Sequence, residues 1–276
     1  MGPIVTAATE AALPRDAVIV HVESLDPAAA QEAFAAGHLP QARLVDRDTL
    51  TAAPPQPGTG RHPLPSRAAF AAVLGAAGIG VHDTVVAYDR ENGASAARLV
   101  YLLRILGQPA AVLDGGIAGW DEELQTGPPP AVTAVAREPV QWPADMLVSA
   151  DTVAAHLAQG GVVVDARASE RYRGEVEPLD PVAGHIPGAV NVPYSDNLDS
   201  AGLFRSPPRL YQRYHPLNVD CDAIVYCGSG VTACHDLLAV EHAGLGLPRL
   251  YVGSWSEWCR DDARPRAVGP DSGAPE

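Results

Sequence analysis

The sequence predicts an α/β protein built from two tandem copies of one small unit, each a mainly parallel sheet with helices on both faces. Three observations carry that reading. The first is an internal repeat: Gly37-His38-Leu39-Pro40-Gln41-Ala42 is answered by Gly184-His185-Ile186-Pro187-Gly188-Ala189. Val85-Val86-Ala87-Tyr88-Asp89 is answered by Ala223-Ile224-Val225-Tyr226-Cys227, and Asp114 to Trp120 by Val252 to Trp258, both at an offset of 138 residues. The second is alternation: short β-branched runs at 17–20, 162–164 and 224–226 read as buried strands, and Ala/Leu-rich stretches at 94–106 and 231–242 read as helices. Strands that alternate with helices require crossover connections, hence parallel pairing. The third is size: 276 residues, 47% hydrophobic, suffice for two cores.

The elements group as a first domain over 1–125, a linker over 126–145 and a second domain over 146–276. The linker holds five prolines (128, 129, 130, 139 and 143), which disfavour helix and central strand and give a semi-rigid spacer. The Pro/Gly/Ser-rich tail from about Arg264 is expected to fray.

Composition removes several function classes. A formal charge of −14 repels nucleic acid and anionic lipid. All 19 basic residues are arginine, and without a lysine neither Schiff-base catalysis nor a Walker-type phosphate loop can be built. No window offers the roughly 20 apolar residues of a membrane span, and the first residues lack the basic start and apolar run of a secretory signal. A myristoylation pattern at Gly2 is blunted by Pro3 and has no second lipid signal. A cytoplasmic protein without nucleic-acid or membrane partners is expected. Cys221, Cys227, Cys234 and Cys259 form no C-x-x-C pair, so neither a metal site nor a disulfide framework is expected, and no cofactor is called for.

Chemistry concentrates at Cys227. It ends a predicted strand and is followed by Gly228-Ser229-Gly230-Val231-Thr232-Ala233 and a helix. Ligands of open α/β folds gather at the carboxyl ends of strands, where the next helix presents unpaired N–H groups. The glycines let those N–H groups turn toward the sulfur, which favours a nucleophilic thiolate with a depressed pKa. A free cysteine at a strand end is more commonly an inert core residue, and it is the glycine-rich loop that argues otherwise; Cys221, Cys234 and Cys259 lack such a loop and read as structural. A phosphatase would need an arginine six residues after the cysteine to clamp a phosphate dianion. Ala233 stands there.

This loop, with Asp165-Ala166-Arg167, Arg171-Tyr172-Arg173-Gly174, Gly184 to Asn191 and Gly253 to Trp258, resembles the two-domain rhodanese sulfurtransferases, in particular their 3-mercaptopyruvate branch, over about 17–262. The resemblance implies two tandem rhodanese-like domains, the second catalytic and the first inactive, with Asp89 at the cysteine position. It further implies transfer of sulfane sulfur from 3-mercaptopyruvate to a thiol or cyanide through a Cys227 persulfide, sheltered by the amides of Gly228, Gly230, Val231, Thr232 and Ala233. Thioredoxin or a small thiol is the implied acceptor. Thiosulfate is the alternative donor; a persulfide carrier without turnover is the alternative of another class. Arg171 matches the arginine that holds the donor's carboxylate, a role suited to a two-pronged guanidinium. A second arginine is expected where Leu179 stands, with Arg173 as a partial substitute. A proton-handling group maps onto Ser229, His62 and Asp48, which would bring first-domain residues to the site; an ordinary loop hydroxyl and solvated loop positions are the competing readings.

Other conspicuous residues have plainer roles. His38 and His185 recur in both copies, including the one without the cysteine, so they read as structural. Asp165 and Arg167 read as an ion pair beneath the loop, with a contribution of Arg167 to the field around the substrate as the alternative; Trp255 and Trp258 read as walls of the site or core, and His235 as a helix-surface residue.

Overall fold

The computed structural model describes residues 1–48, 55, 56 and 58–273. It divides into two compact units: Met1–Ala53 with Leu64–Pro143 and Ala201–Leu203, and Pro54–Pro63 with Ala144–Ser200 and Phe204–Glu276. The described residues 55, 56 and 58–63, read from sequence as part of the first domain, therefore belong to the second unit.

In the first unit the described elements run β1 (Ile4–Val5), β2 (Val18–Glu23), α1 (Pro27–Ala36), β3 (Arg43–Asp46), α2 (Arg67–Ala76), β4 (Val85–Tyr88), α3 (Ala96–Ile105) and β5 (Ala110–Leu113). Every described strand pair is parallel, in the order β1-β5-β4-β2-β3. Local chemistry sets the helix starts. Asp26 caps α1 by accepting from the amides of Ala28 and Ala29, with Pro27 at the first helical position, and Ser66 caps α2 through the Ala69 amide. Successive strand residues face opposite sides, so the complete burial of β4 and β5 means that both faces of the sheet are covered.

The second unit repeats the plan with β6 (Leu147–Val148), α4 (Ala150–Ala158), β7 (Val163–Asp165), α5 (Ser169–Tyr172), β8 (Val190–Asn191), α6 (Pro207–Tyr214), β9 (Ile224–Tyr226), α7 (Ala233–His242), β10 (Arg249–Tyr251) and α8 (Ser254–Trp258). Its order is β6-β10-β9-β7-β8, again all parallel, so the two sheets share one strand order. Its core joins Val163, Ile224, Tyr226 and Tyr251 of the sheet to Val153 of α4 and to Trp255 and Trp258 of α8.

The repeated Gly-His-x-Pro turns are structural in both copies. His38 Nδ1 lies 2.9 Å from the Phe34 carbonyl and its ring stacks on Phe34; His185 Nδ1 lies 2.8 Å from the Tyr172 carbonyl and its ring stacks on Tyr172. Each turn is also pinned to the strand beneath the functional loop, because Tyr88 OH accepts the Leu39 amide and Tyr226 OH accepts the Ile186 amide.

Three expectations change. The tail from Arg264, expected to fray, is tied down: Ala267 exchanges both backbone hydrogen bonds with His185, Gly269 N donates to Arg173 O, and Ser272 O accepts from Gly188 N at 2.7 Å. The last three residues lie outside the described set. The proline-rich stretch is anchored to the first unit, with Gly127 N donating to Ala35 O and Val135 N to Gly75 O. His235 is fully buried rather than on a helix surface, stacked on Phe204 with 4.2 Å between ring centroids. Among the described residues no helix is long and apolar enough to cross a membrane.

Candidate active site

Strand β9 delivers Cys227 to the carboxyl edge of the second sheet, and α7 begins six residues later. The loop between them is oriented by its carbonyls. Cys227 O accepts from Trp255 N at 3.0 Å and Gly228 O from Ser256 N at 2.9 Å, both in α8. With those carbonyls engaged, the loop is free to turn an amide to the thiol: Gly230 N donates to Cys227 Sγ at 3.2 Å. Gly230 has φ +76°, the left-handed region that favours glycine. Cys227 N donates to Ser254 Oγ, which donates to Tyr251 O, so the backbone of Cys227 is fixed from below. Val231 and Thr232 lead into α7, their carbonyls accepting from Cys234 N and His235 N, and Ala233 is fully buried. Cys227 itself is 2% exposed.

A chain of alternating charges runs beside this loop. Arg167 forks onto Asp165 (2.7 Å from Nη2 to Oδ2) under the ring of Trp255, as the sequence suggested. Arg167 Nη1 also reaches Glu177 Oε2 at 3.3 Å. Glu177 holds Arg171 through Oε1 at 2.6 Å; Arg171 Nη2 lies 3.6 Å from Asp180 Oδ2; and Asp180 Oδ1 binds Arg61 Nη1. Burial alone would raise the Glu177 carboxyl, but Arg171 and the amides of Leu179 and Asp180 hold it below the ordinary carboxylate range. The guanidinium ends of Arg61 and Arg171 meet over Gly228. A Cβ at 228 would stand 2.9 Å from Arg61 Nη2 and 3.3 Å from Arg171 Nη1, so the glycine leaves room for both to lie close to the cysteine loop.

Arg61 reaches this place because its segment is clamped to α8. Its amide donates to Ser256 Oγ at 3.0 Å, and a Cβ at Gly60 would stand 2.3 Å from the Gly253 carbonyl oxygen. The same segment sets His62 Nδ1 2.7 Å from Ser229 Oγ. Of the expected proton-handling group, Ser229 and His62 are thus brought together within the second unit. Asp48 belongs to the first unit, where its carboxylate accepts from Arg47.

The remaining candidates lie elsewhere. Arg173 is engaged by Glu175 at 2.7 Å, and Leu179 is 60% exposed. Cys221 is exposed, whereas Cys234 and Cys259 are buried; among the described residues no group of His, Cys, Asp and Glu could hold a metal ion.

A family model described as the rhodanese-like domain matches twice, over residues 15–123 and 149–261. The chain belongs to the rhodanese-like family. Among rhodanese-like relatives it is 46% identical over 262 residues to a probable 3-mercaptopyruvate sulfurtransferase of Pseudomonas aeruginosa, covering 88% of this chain and 89% of that protein. It is 37% identical over 255 residues to a putative thiosulfate sulfurtransferase, SseB, of Mycobacterium tuberculosis, covering 89% and 88%. The crystal structure of SseA, a 3-mercaptopyruvate sulfurtransferase of Escherichia coli, superposes with a TM-score of 0.72 at 30% identity, over 88% of this chain and 94% of that one. The doubling expected from the repeat and the rhodanese-like fold implied by the resemblance are thus established.

Sequence reading missed Arg61, Glu177 and Asp180. Arg61 carried a usable signal, since it precedes His62 in Gly60-Arg61-His62-Pro63. The two carboxylates had none, because an acidic residue in a Pro-rich loop looks the same whether solvated or buried.

Proposed function

We propose that the chain is a sulfurtransferase that takes sulfur from 3-mercaptopyruvate and passes it to a thiol through a persulfide on Cys227. The observation that carries this reading is the buried Cys227 thiol bonded by the Gly230 amide, with two guanidinium groups standing over the adjacent glycine. The amide is a preorganised donor to a sulfur anion. The guanidiniums suit a carboxylate.

In the first half-reaction the Cys227 thiolate attacks the donor's sulfur, forming an S–S bond as the C–S bond breaks. The electron pair of that bond passes to carbon and is delocalised as the enolate of pyruvate. The proton that began on the donor thiol ends on the new methyl group, leaving Cys227 as a persulfide anion. Ser229, hydrogen-bonded to His62, is the group proposed to move that proton. In the second half an acceptor thiolate attacks the outer sulfur and releases the Cys227 thiolate, a ping-pong cycle that needs no cofactor. Thioredoxin or a small thiol fits this step, and cyanide serves equally as a nucleophile.

The charge balance favours mercaptopyruvate over thiosulfate. Arg61, Arg167 and Arg171 are matched by Asp165, Glu177 and Asp180, so the surroundings offer directed N–H groups without the excess positive charge that a dianion calls for. The loop after Cys227 adds no charged residue.

Mass spectrometry of the protein after donor treatment, with pyruvate release followed in parallel, tests the reading. A gain of about 32 Da, one sulfur atom, is expected on wild type and not on Cys227→Ser, with many pyruvates released per protein and higher kcat/KM for mercaptopyruvate than for thiosulfate. One stoichiometric loading without turnover would make the protein a carrier. No loading at all would overturn the assignment.

A further inference from the structure

We propose that Arg61 supplies the second guanidinium that grips the donor's carboxylate and that Asp180 is its positioning residue, an assignment that rests on the sulfurtransferase reading above. The sequence leads one to look for that charge at position 179, but Leu179 points to solvent and only its amide is engaged, by Glu177. Arg61 instead reaches the loop from residues that precede the second sheet by some eighty positions.

Each of the two arginines commits one edge to a carboxylate of the protein and turns another nitrogen toward Gly228. Arg171 gives Nε and Nη2 to Glu177 and leaves Nη1 over the glycine. Arg61 gives Nη1 to Asp180 and leaves Nη2 over the same glycine. Two N–H groups from different guanidiniums therefore converge beside the residue that follows the nucleophile. That is the donor pattern for the two oxygens of one carboxylate, held while its thiol end meets Cys227 Sγ.

Asp180 explains why Arg61 stays there. Its side chain is wholly buried, and Oδ2 has no hydrogen-bond partner, only the Arg171 guanidinium at 3.6 Å. A buried carboxylate is costly unless cations face it, so Asp180 holds Arg61 and Arg171 on either side of itself. The backbone clamp completes the arrangement through the bond from Arg61 N to Ser256 Oγ and the contact of Gly60 with Gly253. The substrate class that follows is a short carboxylate bearing its thiol a few bonds from the acid.

Kinetics with 3-mercaptopyruvate and with its uncharged methyl ester, on wild type, Arg61→Ala, Arg61→Gln and Asp180→Asn, test the proposal. Wild type is expected to prefer the acid. Both Arg61 variants should raise KM for the acid about 10- to 100-fold, the range of a charge-assisted hydrogen bond, with kcat changed far less and with the preference for acid over ester shrinking by the same factor. Asp180→Asn should raise KM for the acid more modestly, and in the Arg61→Ala background its effect should be smaller than in wild type, since it acts in part through Arg61 and in part through Arg171. If the Arg61 variants load from mercaptopyruvate with wild-type KM, or lose acid and ester equally while remaining folded by circular dichroism, Arg61 does not hold the carboxylate and the proposal is overturned alone. If wild type acquires no persulfide from mercaptopyruvate, the underlying reading falls and the proposal with it.

Discussion

Asp89 of the first unit occupies the position that Cys227 occupies in the second, 138 residues further on, and its carboxylate fills its own loop. It accepts from the amides of Glu91 and Gly93 at 2.8 Å and of Ser95 and Ala96 at 2.7 Å. The backbone framing is the same in both units: Ile117 N approaches Asp89 O as Trp255 N approaches Cys227 O. A loop of this form is an anion cradle, and in the first unit the chain supplies the anion itself.

Asparagine at 89 would keep the shape and lose the charge. Its amide nitrogen would face backbone N–H groups and leave two buried donors unmatched, at about 1–3 kcal/mol each. Asp89→Asn is therefore expected to lower the melting temperature by several degrees while persulfide loading of Cys227 is retained. Unchanged melting would show that the four bonds contribute nothing net.

The His62–Ser229 contact makes a second prediction. If the pair acts as one proton-moving unit, Ser229→Ala and His62→Gln should each reduce kcat by about 100-fold or more, the usual range for general acid–base groups. The double variant should be scarcely worse than either single one. Additive losses in steady-state pyruvate release would separate the two residues. The same assay on Asp48→Asn tests the third member inferred from resemblance: a loss matching that of His62→Gln supports it, and wild-type kinetics remove it.

What could be read from the sequence follows the range of the forces involved. Strands β7 and β9 and helices α3 and α7 were legible because each is built on a short buried apolar run, Val163-Val164, Ile224 to Tyr226, Leu99 to Leu103 and Leu237 to Val240, that burial imposes whatever surrounds it. Cys227 was legible because its loop chemistry lies within seven consecutive residues. Arg61 was marked only by its place beside His62, since its role depends on a contact across more than a hundred positions with Asp180. The docking of the tail was hidden for a related reason: it uses backbone hydrogen bonds to His185 and Gly188, and backbone groups leave no trace in residue type. His235 misled because histidine is polar and found both inside and outside; its burial is decided by Phe204 stacked on its ring.

Gly60 separates the clamp from the charges it carries. A methyl group there would stand 2.3 Å from Gly253 O and 2.9 Å from Ser256 Oγ, and backbone oxygen cannot retreat as a flexible side chain can. Gly60→Ala should push Arg61 and His62 off α8 together, raising KM for mercaptopyruvate and lowering kcat in one step, with melting changed by no more than a few degrees. Steady-state kinetics beside a melting curve check this; wild-type kinetics would mean that the segment does not depend on the close approach.

The helix that follows the cysteine loop also carries a buried acid, Asp236, whose carboxyl burial pushes up to about 7. Asn197 Nδ2 donates to it at 2.6 Å, Tyr214 OH lies 3.0 Å away, and the Arg213 guanidinium opposes the rise from a distance while Asp165 adds to it. Because the folded value stands above the unfolded one of about 3.9, the folded state binds the extra proton between the two. The stabilisation is fully present below about pH 4 and is lost as pH climbs through about 7, up to about 4 kcal/mol for a shift of three units. Depressed acids such as Glu177 slope the opposite way, with stability lost as pH falls through their folded values, so the test is a difference. Denaturant unfolding of wild type and Asp236→Asn from pH 4 to 8 should give curves that diverge across pH 4–7, wild type losing stability relative to the variant, and that run parallel above pH 7. Curves parallel throughout would mean that Asp236 ionises in the folded protein as it does in the unfolded chain, and the buried cluster beneath the loop would then be held as an ion rather than as a neutral acid.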